Sequence, residues 1–102
     1  MKQKPIRSPK HLAFVRSKPC MIVNDERENC NRQARAHHLT FLKGERGMSQ
    51  KVGDNWTVPI CDGHHYDLHY IGEKFFWGVN GFTLDKITNY AIELWNESNI
   101  QK

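Results

Sequence analysis

Cysteine and histidine are concentrated in two short segments of this chain, and both residue types bind metal ions. The segment CDGHHYDLH, residues 61–69, holds one of the three cysteines and three of the six histidines. Two more histidines are adjacent in AHHLTF, residues 36–41. Since a histidine side chain titrates close to neutral pH, it can also transfer protons. The two segments therefore indicate metal-assisted chemistry.

The spacing within CDGHHYDLH predicts two metal sites. Cys61 and His64 have the two-residue spacer of a zinc knuckle, and Gly63 eases the turn between them. His65 and His69 are four residues apart, so on a helix they share one face. Because His64 and His65 are neighbours, their side chains diverge by about 100° on a helix and are poorly placed to share one ion.

The first predicted site is a structural zinc. Cys20 and Cys30 are the other two cysteines, and with Cys61 and His64 they complete a closed Cys₃His set. Nine residues separate Cys20 from Cys30, more than in most zinc pairs.

The second predicted site needs a third ligand besides His65 and His69. The pair His37-His38 can supply it, because neighbours on a strand point to opposite faces. One of the two can then bind the ion while the other faces a substrate. The alternative is that these are ordinary surface or hydrogen-bonded histidines.

Composition restricts the class of protein. The 102 residues form a single domain, and a hydrophobic fraction of 38% is low for a self-sufficient core, which favours a metal or a partner. An odd number of cysteines favours metal binding over a disulfide framework. No apolar run reaches the roughly 18 residues of a membrane span, and none follows the basic start as in a signal peptide. We expect a soluble, cytoplasmic protein.

Residues 1–19 carry only positive charge. With Pro5, Pro9 and Pro19, the segment is expected to be an extended basic arm that contacts phosphates, or alternatively a solvated tail. Its basic side chains are Lys2, Lys4, Arg7, Lys10, Arg16 and Lys18.

Hydrophobic patterns and turn residues predict the elements that position these ligands. Pro59 confines its strand to a sheet edge, Gly72 ends the histidine-bearing helix, and Thr83 caps the last helix. The predicted elements are a strand at 12–16, a polar loop at 24–35, strands at 36–42 and 56–61 joined by a glycine-containing connection, and helices at 64–71 and 84–98. The aromatic residues expected in the core are Trp56, Phe75, Phe76, Trp77 and Trp95.

These segments resemble the HNH (ββα-metal) endonuclease superfamily. The resemblance lies in AHH, then a glycine-containing loop with Asp54-Asn55, then PICDGHHYDLH. More closely, the chain is similar to the phage-encoded group that includes the Ref recombination-enhancement nuclease, a likeness that extends into GEKFFWGVNGFTLDKITNYAIELW. It covers about residues 10–96. The fold it implies is α+β, with a basic arm at 1–19, a ββα-metal core with a zinc knuckle at 20–72, and a C-terminal extension with an amphipathic helix at 73–102.

The resemblance also implies roles for individual residues. His38 matches the general base, and Asn55 matches the residue that pins the loop carrying the base, with Asp54 as a rival. The ligands of the catalytic ion would be His37, His65 and His69. The ligands of the structural zinc would be Cys20, Cys30, Cys61 and His64. The first cysteine pair departs from the common C-x-x-C, and histidine replaces the usual last cysteine of the knuckle.

The implied activity is metal-dependent hydrolysis of phosphodiester bonds in DNA. Neutral His38 would take a proton from the attacking water, and the ion would polarise the phosphate and stabilise the departing 3′ oxygen. Imidazole ligands suit Zn²⁺ or Ni²⁺, while Mg²⁺ and Mn²⁺ stay open because water and phosphate can complete their shells. The residues expected to contact DNA phosphates are Lys10, Arg16, Lys18, Lys43, Arg46 and Lys51.

The same resemblance implies a phage or prophage origin, the cytoplasm of a bacterial host as the location, and a recombinase or other phage DNA-processing protein as a partner. Two competing interpretations stay open. One is a zinc-stabilised nucleic-acid-binding module without catalysis, and the other is an interaction domain that recruits a phage or host protein.

Overall fold

The fold is α+β, with two strands and four α-helices in the described part of the chain. The computed structural model describes residues 5–22, 34–43 and 51–100. The elements are α1 (Pro9–Arg16), β1 (Ala34–His38), a 3₁₀ turn (Thr40–Leu42), β2 (Thr57–Cys61), α2 (Asp62–Ile71), α3 (Glu73–Val79) and α4 (Leu84–Ile100).

The two strands pair antiparallel and form the centre of the molecule. In the register, His37 lies opposite Val58 and His38 lies opposite Thr57. All five residues of β2 are buried, although a strand of a two-stranded sheet has a free edge. A two-stranded sheet is marginal by itself, so the helices that pack on it must supply most of the core. The strand predicted at 56–61 is confirmed, and Pro59 lies on an edge strand as expected. The strand predicted at 36–42 is correct only in part, because β1 starts at Ala34 in the predicted loop and ends at His38, and residues 40–42 form the 3₁₀ turn.

Helix α2 begins directly at the end of β2, so that this strand and helix are continuous. Its buried face carries His64 and Leu68, one turn apart. Gly72 ends the helix with φ of 96°, a conformation that disfavours other residues, and its N–H donates to Leu68 O at 2.9 Å. The helix predicted for 64–71 is confirmed and starts two residues earlier.

The strand predicted for residues 12–16 is wrong, because the segment is helix α1. Ser8 Oγ accepts from His11 N–H at 3.2 Å, and Pro9 occupies the first turn, where its missing N–H costs nothing. His11 and Val15, four residues apart, form the buried side. Residues 9–16 are therefore a packed element that contacts both strands and α4, and not the extended arm expected from the prolines.

The C-terminal part contains one predicted helix and one that was not predicted. Helix α4 starts after Thr83, whose Oγ1 accepts from Lys86 N–H at 3.1 Å, as expected for a cap. Helix α3 was missed. Its Phe76 and Trp77 are buried as predicted, but Phe75 is 64% exposed, so its assignment to the core is wrong.

Several predictions fall on residues outside the described ranges. They concern most of the polar loop at 24–35, the glycines at 44 and 47, and the two site residues Cys30 and Arg46. The division into segments 1–19, 20–72 and 73–102 stays a prediction. Within the described ranges, no helix has the length and apolar character that crossing a bilayer requires.

Candidate functional site

Cys20, Cys61 and His64 form a buried cluster at the junction of β2 and α2. Their ligand atoms all lie within 4.8 Å of one another. His64 Nδ1 lies 3.4 Å from Cys20 Sγ and 3.2 Å from Cys61 Sγ. Cys20 is held beside the strand because Met21 N–H donates to Pro59 O at 2.9 Å. The structure thus brings together three of the four residues predicted for the structural zinc.

The donor set of this cluster fits a tetrahedral ion such as zinc. Zn–S and Zn–N bonds of usual length place sulfur and nitrogen about 3.6 Å apart on one edge of a tetrahedron, close to the two distances between sulfur and Nδ1. Burial, reinforced by the charge of Cys61, raises the pKa of Cys20 to about 12 against the lowering effect of two backbone N–H groups. A bound cation would reverse that balance and stabilise the thiolate.

A second group of histidines lines a cleft between α1, β1 and α2. We call it the histidine cleft, and its volume is about 480 Å³. Its lining residues are Arg16, Arg35, Ala36, His37, His38, Thr40, His65 and His69. All four histidines that the sequence assigned to catalysis or to the catalytic ion are therefore in one place.

Three imidazoles of the cleft approach one another. The ring centroid of His65 lies 4.4 Å from that of His69 and 5.2 Å from that of His37. His65 Nε2 and His69 Nε2 are 3.1 Å apart, near the roughly 3.3 Å expected for two nitrogens on one tetrahedral zinc. Burial, followed by the neighbouring His37 and His69, lowers the pKa of His65 to about 4, so this ring is neutral at physiological pH. The ligand nitrogens of these three histidines do not all lie within 4.8 Å of one another, whereas the ligand atoms of Cys20, Cys61 and His64 do.

Glu73, which does not line the cleft, holds the ring of His37. Its Oε2 lies 2.7 Å from His37 Nε2 and accepts from Trp77 Nε1–H at 3.3 Å. Its Oε1 accepts from Phe41 N–H at 2.9 Å and from Thr40 Oγ1. Burial alone would raise the pKa of Glu73, but these hydrogen bonds outweigh it and lower the pKa.

Sequence reasoning missed Glu73, which contacts His37 from 36 positions away along the chain.

His38, the fourth histidine of the cleft, pairs with Asp54. His38 Nε2 is 2.8 Å from Asp54 Oδ1. The carboxylate also accepts from Ser8 N–H at 2.7 Å and from Arg7 Nη1 at 3.1 Å. Burial would raise the pKa of Asp54, but the hydrogen bonds from His38, Ser8 and Arg7 lower it, so the group is ionised at neutral pH.

Asp54, and not Asn55, contacts the predicted general base. Asn55 is half-buried, and its Oδ1 lies where a side chain at Gly53 would be, 2.5 Å from the position of an added Cβ. The geometry thus favours the rival assignment for the middle position of the motif.

One comparison with known proteins gives a match. A family model described as "Protein of unknown function (DUF968)" matches residues 1–94, which include the cysteine cluster and the histidine cleft. The chain belongs to the DUF968 family. No curated protein and no solved structure matches it.

The basic residues of this DUF968 chain divide between the cleft and other surfaces. Arg16, one of the residues predicted to contact phosphate, lines the histidine cleft. Arg35, which was not among those residues, lines it too and pairs with Asp62 at 2.7 Å. Lys18 does not face the cleft residues but binds Glu97 at 2.9 Å.

The other predicted phosphate contacts are not brought to the cleft by the described structure. Lys10 lines a separate pocket beside His11. Lys43 and Lys51 are exposed, and neither lines the cleft.

Proposed function

We propose that this protein is a metal-dependent nuclease of the HNH type, which hydrolyses phosphodiester bonds in DNA. The observation that carries the proposal is the convergence of His37, His38, His65 and His69 on one cleft, at the junction of two antiparallel strands and the following helix. Isolated histidine pairs are common on protein surfaces. Four histidines from a strand and a helix that line one cavity with two arginines are much less common.

His37, His65 and His69 would hold the catalytic ion. His65 suits this role because it is neutral, so its lone pair is available, and its Nε2 already faces that of His69. Glu73 orients His37, in the manner of carboxylates that fix metal-binding histidines from behind. When bound, the ion supplies positive charge to the scissile phosphate and the departing oxygen.

His38 acts as the general base. An ionised carboxylate only accepts hydrogen bonds, so the proton between His38 and Asp54 belongs to His38 Nε2. This assignment leaves Nδ1 with a lone pair that can take a proton from water. Asp54 then stabilises the imidazolium that forms, as buried carboxylates do for other catalytic histidines.

The cluster of Cys20, Cys61 and His64 has a structural role in this proposal. A zinc ion there ties the segment after α1 to the end of β2 and the first turn of α2. Because His65 follows His64 directly, the structural ion also fixes the orientation of the catalytic histidines. Cys30 would supply the fourth ligand.

Charge in and around the cleft supports a nucleic-acid substrate. The chain has a formal net charge of +4, and Arg16 and Arg35 line the same cavity as the histidines. Such contacts position a phosphate backbone without reading its sequence. The resemblance adds a bacterial cell as the setting, a phage or prophage as the source, and a recombinase or another phage DNA-processing protein as the partner.

The test is nicking of supercoiled plasmid by the purified protein with Mg²⁺, Mn²⁺, Ni²⁺ or Zn²⁺. We expect His38→Ala to reduce cleavage roughly 100-fold or more, the range that general bases contribute. His11→Asn, a histidine change outside the cleft, is the matched control and should leave cleavage near the wild-type rate. Cleavage that persists unchanged in His38→Ala would remove His38 from the mechanism. DNA binding without cleavage in any of these metals would favour the zinc-stabilised binding module.

A further inference from the structure

Two tyrosines on α2 are among the most exposed aromatic residues of the described structure. Tyr66 is 70% exposed and Tyr70 is 80% exposed. Their rings are nearly parallel, with an interplanar angle of 14° and centroids 6.4 Å apart. Aromatic side chains normally bury large apolar areas, so two rings held parallel in solvent are an unusual use of a helix face.

The tyrosine pair lies on the same helix as two of the histidines that line the cleft, His65 and His69. Tyr66 follows His65, and Tyr70 follows His69, so each tyrosine lies about 100° around α2 from a cleft histidine. The buried side of the helix carries His64 and Leu68, about 200° from the tyrosines. The buried residues, the cleft histidines and the tyrosines thus form three stripes along α2. The tyrosine stripe is on the outer side, next to the histidine stripe that faces the scissile phosphate in the proposed function.

We propose that Tyr66 and Tyr70 are a stacking platform for the bases of an unpaired strand, whose backbone enters the histidine cleft. This inference rests on the proposed function and names its substrate class, which is single-stranded or locally unpaired DNA. An exposed aromatic ring stacks on any base, but the base must present its face, and in a duplex the faces are covered by neighbouring pairs.

Charge and shape favour a nucleic-acid strand over a protein partner at this position. The platform is only two rings wide. The neighbouring stripe of α2 consists of imidazoles, and these line the same cleft as Arg16 and Arg35. Single-strand sites combine cationic side chains that follow the backbone with adjacent stacking rings. Here Arg16 and Arg35 are the cations that line the cleft, and Arg35 also pairs with Asp62. Phe75 on α3 is also exposed, has no ring contact within the described part of the chain, and supplies the control.

The experiment measures binding to a labelled single strand and to a blunt duplex of the same length. Binding is measured by fluorescence anisotropy with zinc-loaded protein in a His38→Ala background, so that cleavage does not consume the probe. We expect the single strand to bind more tightly than the duplex. Changing both tyrosines to alanine should raise the single-strand Kd roughly 10- to 100-fold and the duplex Kd much less. Changing both to phenylalanine should preserve binding, because the rings remain.

Phe75→Ala is the matched control for a lost exposed aromatic ring and should leave both Kd values unchanged. Equal loss for single strand and duplex, or no loss in the double alanine variant, would overturn the platform. The platform would also be overturned if the wild type were a dimer, the double alanine variant a monomer, and DNA binding the same in both. The rings would then form an interface between copies of the chain.

These results are independent of the nicking test. A tyrosine-dependent single-strand preference in a protein that never cuts DNA would sink the nuclease proposal and keep the platform. If cleavage depends on His38 but the tyrosine variants bind DNA like the wild type, the nuclease proposal stands and the platform is overturned.

Discussion

Asp54 Oδ1 lies 2.8 Å from His38 Nε2, and the same buried carboxylate accepts the N–H of Ser8 and a hydrogen bond from Arg7. The segment just before α1 is therefore connected, through one side chain, to the candidate base on β1. Ser8 also caps α1. The start of the described chain thus helps to build the site and is not merely a basic extension of it.

We expect Asp54→Asn to lower plasmid cleavage roughly 10-fold or more while the protein stays folded and keeps its zinc. The amide occupies the same space but has no charge to stabilise an imidazolium, and it can present an N–H that favours the wrong tautomer of His38. Cleavage rate, zinc content and circular dichroism are measured together. Asn55→Ala is the control and should cut close to the wild-type rate. A larger loss in Asn55→Ala than in Asp54→Asn would restore Asn55 to the middle position.

Glu73→Gln should weaken binding of the catalytic ion roughly 10- to 100-fold without removing the structural zinc, because the carboxylate that orients His37 is lost. Titration of the zinc-loaded protein with Co²⁺ or Ni²⁺, followed by absorbance or calorimetry, measures this affinity. Glu93→Gln, a change of an exposed glutamate on α4, is the matched control. Equal metal affinity in wild type and Glu73→Gln would show that His37 needs no such support or is not a ligand.

The two-site scheme predicts different metal losses from neighbouring residues. His64→Ala should lose about one equivalent of tightly bound zinc and unfold at lower temperature, since a structural zinc contributes directly to folding. His69→Ala should keep that equivalent and a melting temperature near wild type. Elemental analysis with thermal melting gives both values. Zinc retained in full by His64→Ala, or lost equally in both variants, would contradict separate sites.

Cys30→Ser extends this test to the fourth zinc ligand predicted from the sequence, which lies outside the described residues. It should lose the same equivalent as His64→Ala if Cys30 completes the tetrahedron. Normal zinc content in Cys30→Ser would mean that another group is the fourth ligand.

The side-chain placements that agree between sequence and structure depend on short spacings. The pair Cys61 and His64 and the pair His65 and His69 each lie within one turn, so helix geometry alone determines which side chains diverge. Gly72 and Thr83 end and begin helices through local backbone requirements, and both predictions are confirmed.

The missed parts depend on contacts between distant segments. Glu73 contacts His37 from 36 positions away along the chain, and Asp54 contacts Ser8 from 46 positions away. No local sequence pattern indicates either contact. Helix α1 was not predicted, because the prolines of residues 1–19 indicate an extended segment. Pro9, however, lies in the first turn of the helix, where proline is tolerated. Its buried pair of His11 and Val15 shows the four-residue spacing, but a single pair is a weak signal in eight residues.

The last prediction concerns the buried His11, which lies outside both metal sites. Ser98 Oγ donates to Trp95 O at 3.2 Å, so it accepts from His11 Nδ1–H at 2.7 Å. Nε2 of His11 is buried and has no hydrogen-bond partner among the described residues. Burial lowers the pKa of His11, and the charge of Asp54 opposes this only in part. The folded state therefore holds His11 neutral.

Since the folded pKa of His11 is depressed, the unfolded chain takes up its proton first as the pH falls. The stability that neutral His11 contributes is complete above the ordinary value near 6.5 and is lost as the pH falls toward the folded pKa. We expect His11→Asn to melt at a lower temperature near neutral pH, because the ring packed edge-on against Trp95 is gone, yet to lose fewer degrees than wild type between about pH 7 and pH 5. Thermal melts of the two proteins at constant ionic strength and zinc concentration measure the difference, and the metal sites, common to both, cancel. Parallel losses in the two proteins would mean that His11 titrates alike in the folded and unfolded chains.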